Sequence, residues 1–153
     1  TPKSMLRLKG ATSAVEDFTH GVFEPVIADR SVDPAKVDRV VLCSGKIYYD
    51  LIARRAKNQD ESTAIVRVEQ LAPLPVEQIL AELDRFPHAH VVWAQQEPAN
   101  QGPWPFMALN LAEHLGERRL HRASRPSSAS PATGSGKRHE HELETLLAQA
   151  LDR

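Results

Sequence analysis

Three short runs of apolar, mostly β-branched residues, each followed by a stretch with helical spacing, constrain the fold more than any other feature. Residues 39–43 read RVVLC, residues 64–68 AIVRV and residues 91–94 VVWA. Each is too short for a helix and suits a buried strand. Between the first two, Ile47, Leu51, Ile52 and Ala56 recur at helical spacing, with Arg54, Arg55 and Lys57 near the helix end, where cations suit the dipole. Between the second and third, Val76, Ile79, Leu80 and Leu83 mark another helix with Pro75 at or near its first position. The spacing predicts a third helix over 107–115, ended by Gly116, and a fourth strand over 118–123. Leu143, Leu146, Leu147, Ala150 and Leu151 form one face of a C-terminal helix. Strands alternating with helices about every 25 residues indicate a three-layer α/β domain, with a mainly parallel sheet and right-handed crossovers.

The flanking segments are less periodic. Met5, Leu6 and Leu8 suit the start of a strand or an arm, and residues 28–36 read as a linker containing Pro34. Residues 1–36 are therefore expected to form an arm, and residues 37–153 the domain. Residues 124–136, rich in Ser, Pro, Ala and Gly, are expected to be irregular and surface-lying. The first residue is Thr1 rather than Met, and no signal-type apolar stretch follows it, so the expectation is a piece of a longer, cytoplasmic chain.

Composition excludes several classes. The 153 residues carry 19 Lys and Arg against 20 Asp and Glu, a net charge of −1, which argues against a nucleic-acid or anionic-membrane binder driven by bulk charge. Cys43 is the sole cysteine, so neither an internal disulfide nor a cysteine-cluster zinc site can form. No apolar run is long enough to span a membrane as a helix.

Ligands of open parallel sheets sit beyond the carboxyl ends of the strands. Those ends carry Cys43-Ser44-Gly45-Lys46, Glu69-Gln70-Leu71 and Gln95-Gln96-Glu97. The first has two readings: Ser44 caps a helix and Gly45 makes the turn, or free amides there hold a phosphate. Val40 occupies the position where a P-loop needs its first glycine, and Leu42 the first glycine position of a nucleophile elbow. Gly134-Ser135-Gly136 follows no strand and has His139 where a dinucleotide fingerprint needs its last glycine. His139 and His141, two apart on a helix, point to different sides and read as a solvated helix start. His88 and His90 flank the third strand in surface or satisfied roles, and Cys43 reads as a small core residue. The loop over 98–105 (PANQGPWP) is either a structural loop braced by Asn100, Gln101, Gly102 and Trp104 or a binding loop.

At these segments the sequence resembles a known family. Residues 1–7 (TPKSMLR), 43–51 (CSGKIYYDL), 67–75 (RVEQLAPLP), 97–102 (EPANQG) and 125–131 (RPSSASP) look like the C-terminal region of the 2-oxoglutarate dehydrogenase decarboxylating component, in the same order. The resemblance implies a transketolase C-terminal-like domain of a homodimeric enzyme that uses thiamine diphosphate and Mg²⁺. Such enzymes decarboxylate 2-oxoglutarate and pass succinyl to a lipoyl arm of the dihydrolipoyl succinyltransferase component in the tricarboxylic acid cycle. Their cofactor is held by upstream catalytic domains, so no catalytic, cofactor-binding or metal residue is expected here. Ser44, Lys46 and Gln70 are expected to share an effector pocket. In actinobacterial relatives such a pocket takes acetyl-CoA through a Gln of the Glu-Gln-Leu motif and Arg residues after Pro-Leu-Pro. Gln70 matches the first, whereas Val76, Glu77 and Gln78 replace the basic run; Gln96 likewise replaces a family glutamate. Two other classes fit the same residues: a free-standing nucleotide- or CoA-binding module, and a domain for subunit assembly.

Overall fold

A computed structural model describes residues 2–152; Thr1, the first residue of the 1–7 segment, and Arg153 lie outside the described residues. Five strands form one sheet: β1 (Val26–Ile27), β2 (Arg39–Cys43), β3 (Thr63–Val68), β4 (His90–Pro98) and β5 (Leu120–Arg125). Their spatial order is β1-β3-β2-β4-β5, with β1 antiparallel to β3 and the other pairs parallel. The intervening helices are α1 (Val15–Thr19), α2 (Ile47–Asn58), α3 (Val76–Leu83), α4 (Trp104–Asn110) and α5 (Gly136–Leu151).

Strand alternation divides the core into two layers. Val40, Leu42, Val66 and Trp93 face Ile79 and Leu83 of α3 and Met107 of α4. Val41, Cys43, Ile65 and Val92 face Ile47 and Leu51 of α2 and Leu146 and Leu147 of α5. Because both faces are covered, the central strands read as continuous apolar runs rather than as alternating ones. This is the three-layer α/β arrangement that the periodicity predicts.

Several boundaries differ from the sequence reading. The stretch around Met5, read as the start of a strand or an arm, is a 3₁₀ turn, Lys3–Arg7, with no buried residue. The third helix is split: α4 ends at Asn110, and a short 3₁₀ turn, Ala112–His114, carries the chain toward Gly116. Ala56, expected on the apolar face of α2, is exposed at the last turn. The fourth crossover strand starts and ends two residues later than expected, at Leu120 and Arg125.

β1 lies within the first 36 residues and pairs Val26 with Val68 and Ile27 with Arg67. Just after it, the carboxylate of Asp29 accepts from the Ile65 N–H (2.9 Å), from Ser31 Oγ (2.6 Å) and from Arg55 of α2. Arg55 also donates to the Thr63 carbonyl (3.0 Å) and to Ser31 Oγ (2.9 Å). One buried carboxylate thereby ties the segment after β1, β3 and α2 together.

Candidate functional site

The carboxyl ends of β4 and β5 meet a polar network centred on Gln95, which is only 2% exposed. Gln95 Oε1 accepts from the Trp93 indole N–H (3.1 Å) and from the Trp104 backbone N–H (2.6 Å). Its Nε2 donates to the carbonyls of Gln101 (2.7 Å) and Pro98 (3.1 Å). A single amide thus satisfies both ends of an irregular loop that has no ladder of its own. The β4–β5 register shifts between Ala94 and Pro98, where the loop departs from the sheet.

The loop then grips the segment after β5. Asn100 both donates to the Ser128 carbonyl (3.0 Å) and accepts from the Ser128 N–H (3.0 Å). Gln101 Nε2 donates to the same carbonyl (2.8 Å). Arg125, buried at the end of β5, donates to the carbonyls of Gln96 (2.6 Å) and Pro131 (2.9 Å). Asn100, Gln101 and Arg125 therefore bond to backbone, and the loop serves as a clasp that orders the Ser- and Pro-rich stretch.

Gly102 closes the clasp at φ +64°, and a Cβ there would lie 2.8 Å from Glu97 Cβ. Both the left-handed backbone and the close approach require glycine. Gly102→Ala is expected to cost roughly 1–2 kcal/mol for the backbone alone, with a further loss from displacing Glu97; thermal unfolding checks it. Trp104 is half-buried, packed against the α3–α4 layer, with the Arg122 guanidinium 5.4 Å from its ring centre. The fully buried indole is instead Trp93, in the strand.

Each of the residues expected to share an effector pocket has contacts of its own. Lys46 Nζ pairs with Asp50 one turn on in α2 (2.8 Å), and Gln70 Nε2 donates to the Pro73 carbonyl (2.7 Å). Ser44 is half-buried between β2 and α2, and no side-chain cap bond marks the start of that helix. An open groove of about 470 Å³ beside Gln70 is walled by Pro25, Leu74, Val76, Glu77 and Gln78, with neither Ser44 nor Lys46 in its walls. Its one charged wall residue is Glu77.

Burial pushes the Cys43 thiol up to about 12, so the sulfur stays protonated at neutral pH and is no nucleophile. The His139–Glu142 stretch lies in the first turns of α5, where Glu142 pairs with Arg138 (2.7 Å). Among the described residues no three His, Cys, Asp or Glu side chains converge on a metal position. The buried Asp29 carboxylate is engaged by donors of Ser31, Arg55 and Ile65.

The sequence places Gln95 only within a strand-end segment and assigns no role to Arg125 or Asp29. Gln95 carries a usable signal: it stands two residues after Trp93, which puts an uncharged polar side chain on the same buried face of a strand. Asp29 has none, because its partners lie 26 and 36 residues away in sequence.

The class defined by this architecture is an α/β domain whose strand-end loops are braced by backbone-directed amides. Residues 12–151 match the 2-oxoglutarate dehydrogenase C-terminal family model. The chain is 44% identical over 154 residues to the 2-oxoglutarate dehydrogenase E1 component of Cupriavidus necator, covering 99% of this chain and 16% of that protein. It is 45% identical over 159 residues to the multifunctional 2-oxoglutarate metabolism enzyme of Mycobacterium sp. strain JLS, covering 99% of this chain and 13% of that protein. The protein of that name from Mycolicibacterium vanbaalenii is 44% identical, with the same coverage. This chain belongs to the 2-oxoglutarate dehydrogenase C-terminal family. It spans about one-sixth or less of the length of these relatives.

Proposed function

We propose that this chain is the non-catalytic C-terminal domain of a thiamine diphosphate-dependent 2-oxoglutarate dehydrogenase. The observation that carries this reading is near-complete coverage of the chain by relatives whose remaining length lies outside it. In this reading the catalytic domains lie upstream, bind thiamine diphosphate and Mg²⁺, and act as a cytoplasmic homodimer. The complete enzyme decarboxylates 2-oxoglutarate in the tricarboxylic acid cycle and delivers succinyl to the dihydrolipoyl succinyltransferase component. Residues 1–36 join this domain to the rest. Exposed Leu6, Val15, Phe18, Val22 and Phe23 support such docking, since Phe18 and Val22 stand 79% and 85% exposed. The test is release of CO₂ from 2-oxoglutarate. The complete polypeptide is expected to be active, and the 153 residues alone inactive. An inactive complete polypeptide, supplied with cofactor, contradicts the reading.

We also propose that the groove beside Gln70, with Ser44 and Lys46 near its strand ends, responds weakly or not at all to acetyl-CoA. Glu77 faces that groove and would repel a phosphate, and an Arg pair that would grip one bidentately is replaced. Losing two charge-assisted hydrogen bonds at about 1.5–3 kcal/mol each weakens binding by roughly 100-fold or more. Strong activation of the complete enzyme at micromolar acetyl-CoA, abolished by Gln70→Ala, is the result that overturns this.

A further inference from the structure

Among the described residues, the stretch over 2–24 has no buried member, and its hydrogen bonds are all to itself. Those local bonds nevertheless give residues 14–21 a defined shape. Asp17 accepts from the Ala14 N–H (3.0 Å) at the start of α1, and the His20 N–H donates to the Glu16 carbonyl (2.9 Å) at its end. Gly21 follows, where a Cβ would lie 2.2 Å from the Asp17 carbonyl oxygen. Only glycine fits so tight a turn.

This shape presents apolar side chains to solvent. Val15 and Phe18, three apart on α1, share one side of it, and Val22 and Phe23 follow beyond the turn. All four stand 68–85% exposed. Of the eight large hydrophobic side chains exposed among the described residues, six lie within residues 6–23. A helix of five residues is not held in water by its own bonds, and apolar surface concentrated in this way marks an interface. The other end of the chain is different, since Leu146, Leu147, Ala150 and Leu151 of α5 are buried against the sheet. The matched stretch is 16% and 13% of the two relatives and the family is a C-terminal one, so in them most of the polypeptide precedes the match. That length joins beside α1, where the uncovered apolar surface is.

We infer, resting on the function proposed above, that Val15, Phe18, Val22 and Phe23 form a preshaped apolar wedge that inserts into the catalytic part of the enzyme preceding residue 1. Hydrogen exchange read by mass spectrometry over residues 12–24 tests this in the complete polypeptide and in the 153 residues alone. Exchange there should be about tenfold or more slower in the complete polypeptide. The double variant Phe18→Asp, Val22→Asp should return it to the rate of the short chain. The same variant should leave the melting temperature of the short chain unchanged, because neither side chain is buried in its core. Equal exchange in the two parents overturns the inference, as does protection that survives the double variant. If the complete polypeptide then still releases CO₂ from 2-oxoglutarate, the proposed function stands without the wedge. Protection already present in the short chain, lost as the double variant converts a dimer to a monomer, also overturns it and makes a second copy the occupant.

Discussion

Asp29→Ala should lower the unfolding free energy by about 3–5 kcal/mol, because it leaves the Arg55 guanidinium without its buried partner. In a domain of this size that corresponds to a fall of roughly 6–20 °C in melting temperature. The Asp29 side chain is 6% exposed and that of Arg55 12%, so solvent screens the pair little. Burial alone raises the Asp29 carboxyl, yet bonds from Ser31, Ile65 and Arg55 together outweigh it and hold the group below its ordinary 3.8. A lowered folded value stabilises the native state fully above that ordinary value, and the contribution fades as pH falls through the folded value. The difference in melting temperature between parent and Asp29→Ala should therefore be constant near neutrality and shrink in acid below about pH 4. A difference that grows on acidification contradicts the assignment of the ionised form.

Trp93→Ala is expected to cost about 3–5 kcal/mol, the range for large aromatic truncations in cores. The indole is fully buried in the layer beneath α3 and α4, and its N–H is one of the two donors to Gln95 Oε1. Removing it leaves both a cavity and a buried acceptor with a missing partner. Trp104→Ala should cost less, about 1–2 kcal/mol, because that ring is half-buried and one face carries Arg122. Denaturant unfolding of the two variants decides the order. A larger loss at Trp104 would show that the loop ring, rather than the strand ring, anchors the clasp.

The order of these two tryptophans shows where sequence was informative. The apolar runs of β2, β3 and β4 were legible because strands covered on both faces leave no polar alternation to confuse them. The C-terminal helix was legible because Leu146, Leu147, Ala150 and Leu151 recur on one face. β1 was not, since two residues carry no period and its pairing with Val68 and Arg67 is decided in three dimensions. The extension of β4 to Pro98 was hidden by the polar Gln95-Gln96-Glu97, which stays paired only because Gln95 and Arg125 satisfy the backbone around it. At the candidate sites, Asn100, Gln101 and Gly102 stood out from composition alone, and their bonds to Ser128 and the Gly102 φ explain why. Ser44, Lys46 and Gln70 shared only a position at strand ends. Sequence does not reveal that Lys46 turns to Asp50 and Gln70 to Pro73.

The central claim, that catalysis belongs to domains upstream of these 153 residues, is tested most directly by titrating the purified chain with thiamine diphosphate in the presence of Mg²⁺. The account predicts no saturable heat with the chain folded, as its circular dichroism would verify. Saturable, Mg²⁺-dependent binding of the cofactor to these residues alone would contradict it.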